Sequence, residues 1–347
     1  MTSKERVLAA VQRKHADRLP FYIMGFYGEE SQQTIKDYFG MEDMEKIYDE
    51  LGIDVRGIGG SWWKVPERLD ENGNKRELWG GGGPPYTEEV YTRPLRHAET
   101  VADIEAYEWP DPDWLEILPI EPERREYLSR HFVNLGCDPV WCKLADLMSM
   151  EPLLINMKEN PAIVEAAAAQ IGDFLYESTR RQLEANGDLI DCFHQWDDYA
   201  TDTTLFFSLE DWRRFYKPAL ARLWELVKSH DKLIWYHCCG AMSDLLPDLI
   251  DMGIDILEPC QVHLPGMSPE RLKRDFGKDV VFYGAINTQQ TLPRGTEEDV
   301  RREVRERISV LGSDGGYIVG PDHSVNKDVP PENVIALYDE AAKCGSA

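Results

Sequence analysis

The residues best suited to chemistry gather in the stretch 233–242, Leu-Ile-Trp-Tyr-His-Cys-Cys-Gly-Ala-Met. Imidazole and thiolate are both good zinc donors, and His237 and Cys239 sit one residue apart from adjacency. The apolar first half, bounded by Asp231 and Lys232, reads as a buried strand. Strand side chains alternate, so Trp235, His237 and Cys239 share one face, Tyr236 and Cys238 the other. Gly240 then ends the strand and Ser243-Asp244-Leu245-Leu246 opens a helix. On these residues alone, a hydrogen-bonded core histidine beside a small apolar cysteine is the more ordinary arrangement.

Other candidates end other apolar runs. His194, Trp196, Asp197 and Asp198 close one, Glu258 and Cys260 a second, Asn287 and Gln289 follow a third that contains Tyr283, and Asp322 and His323 close a fourth. Singly, each has a structural use: a satisfied core histidine, a cap, a turn, a salt bridge. Their recurrence at successive run ends is what demands a common explanation.

A parallel barrel supplies one. Eight short apolar runs, 21–25, 53–56, 132–136, 189–196, 233–239, 253–259, 280–285 and 316–320, alternate with helical patterns, and no hairpin signal joins the third to the eighth. This predicts a single (β/α)8 TIM barrel over 1–347, in which strand carboxyl ends converge on one mouth. A helix over 2–14 precedes the first strand. Helices are predicted over 144–157, 161–186 and 209–229 among others. From 60 to 112 the composition changes to Trp62, Trp63, Trp79, a run of glycines and an Asn72-Gly73 turn, which predicts an inserted β-meander over the barrel. Most of its tryptophans are expected to anchor it to the body.

Composition excludes more than it selects. The net charge is −25 with no basic stripe, which argues against nucleic acid and anionic membranes. No run of eighteen apolar residues is present, and the first residues go straight into a helical pattern. Seven cysteines without framework spacing point to reduced thiols and a cytoplasmic setting.

The chain resembles the uroporphyrinogen decarboxylase superfamily over nearly its whole length. The matching stretches are Lys4-Glu5-Arg6-Val7 with Asp17-Arg18-Leu19-Pro20, Glu108-Trp109-Pro110-Asp111-Pro112-Asp113, Trp196-Asp197-Asp198-Tyr199, His237-Cys238-Cys239-Gly240, Tyr283-Gly284-Ala285-Ile286-Asn287-Thr288-Gln289 and Val329-Pro330-Pro331-Glu332-Asn333-Val334. The resemblance implies the same barrel. True decarboxylases of the superfamily resemble one another in an Arg-rich segment after the first strand; here Gly25-Phe26-Tyr27-Gly28-Glu29-Glu30 is acidic. The other branch, the cobalamin-dependent methyltransferases, carries His-x-Cys at the fifth strand and a later Cys, holding zinc. His237-Cys238-Cys239 is similar to the first part, while His323 stands in the place of the later Cys.

That resemblance implies a methyltransferase moving a methyl group between a small methylated substrate or thiol and a corrinoid (cobalamin), carried on a partner corrinoid protein, with a homodimer left open. Zinc is expected on His237, Cys239 and either His323 or Glu258. Asp197, Asp198 and His194 are the expected catalytic groups, and Trp196, Tyr283, Asn287 and Gln289 the expected substrate contacts. Two alternatives stay open: a metal-independent decarboxylase or lyase acting on a small acid or tetrapyrrole, and a non-catalytic corrinoid- or tetrapyrrole-binding protein.

Overall fold

The computed structural model describes residues 1–68, 76–80 and 93–344. Among them are nine strands: β1 (Val55–Gly57), β2 (Ser61–Trp63), β3 (Leu115–Ile117), β4 (Phe132–Cys137), β5 (Cys192–Trp196), β6 (Leu233–His237), β7 (Ile256–Cys260), β8 (Val281–Ile286) and β9 (Tyr317–Pro321). Seven form one sheet in the order β1-β4-β5-β6-β7-β8-β9, every pair parallel. Short apolar strands buried on both faces, each followed by helix, favour this arrangement, because parallel neighbours need crossover connections.

The sheet curls until residues 20–22 bond to both of its edges. Tyr22 N donates to Val319 O (3.1 Å), Val319 N to Pro20 O (2.8 Å), and Asp54 N to Phe21 O (2.9 Å). The result is TIM-barrel-like, with a difference from expectation. The run 21–25 forms no continuous strand, only isolated bridges from Phe21 to Val319 and from Phe26 to Val325. Pro20 has no N–H to contribute, and Gly25 at φ +133° turns the chain out of extended geometry.

Alternation is visible at β6. Trp235 points inward, its ring 4.9 Å from Tyr22 and 5.8 Å from Tyr283. Tyr236 points outward onto Trp224 of the helix Lys217–Ser229, at 5.2 Å. The interior is thus a stack of aromatic rings, fully buried, that supports the carboxyl edge from below.

Several helix bounds differ from the sequence reading. The expected helix 144–157 is two, Trp141–Met148 and Met150–Glu159, broken where Ser149 takes φ +67°. The expected helix 209–229 is also two, Leu209–Phe215 and Lys217–Ser229, because Pro218 lacks the N–H that would continue the ladder. The helix Pro161–Asn186 has the expected bounds. At the N-terminus Ser3–Val11 is helical, held by a capping box between Thr2 and Glu5.

Much of the expected meander, including the Asn72-Gly73 turn, lies outside the described residues. What is described is its closure: β2 pairs antiparallel with β3, Ser61 opposite Ile117. Trp63 and Trp79 pack on Phe174 at 4.9 and 4.7 Å, and Trp79 Nε1 donates to Asp138 (2.8 Å), so both anchor the insertion, while Trp62 is exposed. No described helix is long and apolar enough to cross a membrane.

One buried carboxylate joins the N-terminal helix to the sheet. Asp54 has no exposed surface and accepts from Arg6 Nη1 (2.6 Å), Arg18 Nη1 (2.8 Å) and Phe21 N (2.8 Å). Removing it leaves the Arg18 guanidinium without its counter-charge and Arg6 with Asp17 alone. Asp54→Ala is therefore expected to lower stability by about 3–5 kcal/mol. Urea denaturation would read this directly, and a loss of less than about 1 kcal/mol would show that the junction is held by packing instead.

Candidate metal centre

Strand ends, loops and one cross-strand register build the site. β6 pairs with β7 so that His237 lies opposite Glu258, and β5 pairs with β6 so that Trp196 lies opposite His237. Gly240 turns the chain just after Cys239 at φ +97°; a Cβ there would lie 2.7 Å from Thr201 O, so only glycine fits.

Three side chains converge. The ligand atoms of His237, Cys239 and His323 all lie within 4.8 Å of one another. Cys239 Sγ is 3.3 Å from His237 Nε2, and the two imidazole rings stand 5.9 Å apart and nearly perpendicular. Tetrahedral zinc with nitrogen and sulfur ligands separates its donors by roughly 3.3–3.8 Å, so the donor set fits and needs only a small closure. Burial pushes the Cys239 thiol well up, with Asp198 adding to the effect, so a thiolate here calls for a cation beside it.

Glu258 does not join that group of three. It is fully buried, with Oε1 3.1 Å from His237 Nδ1 and Oε2 3.3 Å from His194 Nε2. Burial alone would raise its carboxyl, but the two histidines outweigh burial and bring it down to about 2. For His237 the order is the same: burial pulls it down, yet the Glu258 hydrogen bond and the charges of Glu258 and Asp198 leave it raised. His323 is lowered by burial and by the charge of His237. A carboxylate bonded to the far nitrogen of a metal-binding histidine is a common orienting arrangement.

The neighbouring acids Asp197 and Asp198 have different surroundings. Asp197 is fully buried and accepts the amides of Val140 (2.9 Å), Trp141 (2.7 Å) and Cys142 (2.9 Å), at the start of the helix Trp141–Met148. Burial pushes it up to about 6 while those amides pull the other way. Its oxygens are thus spent on a helix start and do not meet the three convergent side chains. Asp198 does meet them: Oδ1 accepts from Cys239 N (2.8 Å) and lies 3.7 Å from His237 Nε2.

The expected substrate contacts also separate. Trp196 is exposed at the end of β5. Tyr283 is not at the mouth; it is fully buried in the aromatic stack, 4.9 Å from Tyr22. Asn287 Oδ1 accepts the amides of Gln289 and Gln290, and the Gln289 side chain is exposed. Two residues that the sequence reading passed over also belong to this edge. Gln261 Oε1 accepts from Gly240 N (2.7 Å), and His263 Nδ1 lies 3.0 Å from Asn287 Nδ2 and 3.6 Å from Asp322. Both sit in a loop beyond the end of β7, where no strand periodicity marks them.

The uroporphyrinogen decarboxylase (URO-D) family model matches residues 140–344, more than half of the chain and the part that holds every one of these side chains. The chain belongs to the uroporphyrinogen decarboxylase family. A relative of this family member is the methylated-thiol–coenzyme M methyltransferase of Methanosarcina mazei, 32% identical over 136 residues, 39% of this chain and 34% of the relative. The match thus spans about a third of that relative's length. A solved methyltransferase from Methanosarcina mazei is similar in fold, with a TM-score of 0.65 at 19% identity over 99% of both chains.

The contrast between the two adjacent acids yields a direct test. Asp197→Ala strands three amides at a buried helix start, and stability should fall by about 2–4 kcal/mol. Metal binding by the folded variant should be unchanged. Lost metal binding at full stability would place Asp197 in the site itself.

Proposed function

We propose that the protein transfers a methyl group between a small methylated compound or thiol and a corrinoid carried on a partner protein, assisted by zinc on His237, Cys239 and His323. The observation that carries this reading is the convergence of those three donors with Glu258 behind His237. Bound zinc would supply Lewis acidity, lowering the pKa of a thiol or of a leaving hydroxyl at an open coordination position.

The chain's own residues have distinct parts in this proposal. Glu258 accepts the hydrogen bond donated by His237 Nδ1–H, so that Nε2 presents its lone pair towards Cys239. His194 Nε2 stands 3.3 Å from the second Glu258 oxygen, at ion-pair distance, and would favour keeping that carboxylate away from the donors. Asp198 holds the Cys239 backbone and stands beside His237 Nε2, where it can orient a substrate or accept its proton. Trp196 offers an exposed aromatic face at the mouth.

Electrostatics favour methyl transfer over porphyrinogen decarboxylation. Among the described residues, the ion-pair partners of Asp198, Glu258 and Asp322 are all histidines. Residues 25–30 carry Glu29 and Glu30 and no arginine. A substrate with many carboxylates would meet repulsion from these acids, and residues 25–30 offer it no guanidinium. The name of the Methanosarcina relative, a methyltransferase, supports the same direction.

Purified without chelator, the protein should hold about one zinc per chain. Cys239→Ala and His323→Ala should each lose most of it, whereas Cys238→Ala should keep it, because Cys238 is buried on the opposite face of the strand. Full retention in Cys239→Ala would remove that residue from the metal centre. Mixing with cob(I)alamin or methylcobalamin and a panel of methoxy-aromatic, methylamine and thiol compounds should change the visible spectrum. Asp198→Asn should slow that change while sparing zinc. Stepwise decarboxylation of uroporphyrinogen under anaerobic conditions would contradict the methyltransferase reading.

A further inference from the structure

Beyond the three convergent donors, the same edge of the sheet carries a histidine whose proton position is set by its neighbours. His263 lies in the loop after β7, and that loop is tied to the Cys239 turn by the bond from Gly240 N to Gln261 Oε1 (2.7 Å). Its Nδ1 faces two groups, Asn287 Nδ2 at 3.0 Å and Asp322 Oδ2 at 3.6 Å.

The Asn287 amide cannot be turned round. Its Oδ1 accepts backbone amides from Gln289 (2.8 Å) and Gln290 (2.7 Å), so the atom facing His263 is the NH2 group. Neutral His263 must therefore accept at Nδ1 and carry its proton on Nε2. A hydrogen at Nδ1 would meet the Asn287 NH2 group at 3.0 Å, donor against donor, which holds the ring in this tautomer. Asp322 Oδ1 is committed to Thr288 N (2.9 Å) and Oγ1 (2.6 Å), while Oδ2 is buried without a hydrogen bond. In this tautomer Nε2 carries the hydrogen. The side chain is 29% exposed, and no described residue bonds to Nε2.

We propose that His263 is a substrate-contacting hydrogen-bond donor at this mouth, and that it selects an uncharged oxygen acceptor, such as a hydroxyl, ether or carbonyl oxygen, on the small-molecule substrate. The charge pattern decides against an anionic acceptor. Asp198, Glu258 and Asp322 surround the edge, and among the described residues none has a lysine or arginine partner. Glu258 is already offset by His194 and His237, which leaves Asp198 and Asp322 to repel an anion, and a single N–H suits a neutral oxygen. The inference rests on the zinc reading only for the way a thiol is anchored; the tautomer argument does not use the metal.

The test uses the full-length zinc-loaded protein and three thiols: 2-mercaptoethanol, ethanethiol and 2-mercaptoethanesulfonate. Titration calorimetry should show 2-mercaptoethanol binding about ten-fold tighter than ethanethiol, one hydrogen bond's worth. His263→Leu and His263→Asn should abolish that preference. His263→Gln should keep most of it, since its amide nitrogen falls where Nε2 was, whereas that of Asn falls at Nδ1. Zinc content, measured on the same samples, should match the wild type throughout. No preference in the wild type, its survival in His263→Leu, or tighter binding of the sulfonate would overturn the proposal. If zinc-loaded protein binds none of the thiols, the thiol reading fails, and the ring-nitrogen NMR spectrum of His263 decides the remainder. A proton on Nε2 at neutral pH that becomes shared between both nitrogens in Asn287→Ala supports the assignment. A proton on Nδ1 in the wild type refutes it.

Discussion

Glu258 has no exposed surface, and its ionic partners are two histidines from neighbouring strands. A carboxylate taken out of water costs several kcal/mol unless its oxygens are satisfied, so the barrel has to deliver both imidazoles to it. That requirement ties β5, β6 and β7 into one register. A one-residue slip of β7 would turn Glu258 into the helical layer and leave His194 and His237 facing an empty space. With the register in place, the ring of His237 has no freedom left: Nδ1 belongs to Glu258, and Nε2 points at Cys239.

The aromatic stack beneath enforces the same geometry from the other side. His194 lies 5.5 Å from the Trp235 ring, and Tyr22 packs on both Trp235 and Tyr283 at 4.9 Å. The polar layer therefore rests on a close-packed floor that resists displacement. Above that floor, among the described residues, Asp198, Glu258 and Asp322 have imidazoles as their ion-pair partners. The acidic surface of the chain as a whole, with a net charge of −25, continues the same bias outward.

Much of this was legible from period and spacing. Alternation over 233–239 was enough to put His237 and Cys239 on one face, because a strand leaves no other choice. Alternating strands and helices pointed to the parallel sheet. What period could not reveal was the partner each polar group would meet. Asp197 and Asp198 are adjacent in the chain, yet one is taken up by the amides at Val140–Cys142 and the other by the amide of Cys239. Tyr283 shares a run with the mouth residues but lies within β8, one level down, and so becomes part of the floor. His263 lies beyond any strand, and its meaning depends on Asn287 and Asp322, which only the closed sheet brings near. Ser149, at φ +67°, breaks a helix whose apolar pattern continues through it.

If zinc is held as proposed, its protein donors are His237, Cys239 and His323, and not Glu258. X-ray absorption at the zinc edge of the purified protein reads the donors directly. One sulfur at about 2.3 Å and two imidazole nitrogens at about 2.0 Å are expected, with a light atom in the remaining position that a second sulfur replaces when a thiol is added. A first shell without sulfur, or two protein sulfurs before any thiol is present, would contradict that donor set.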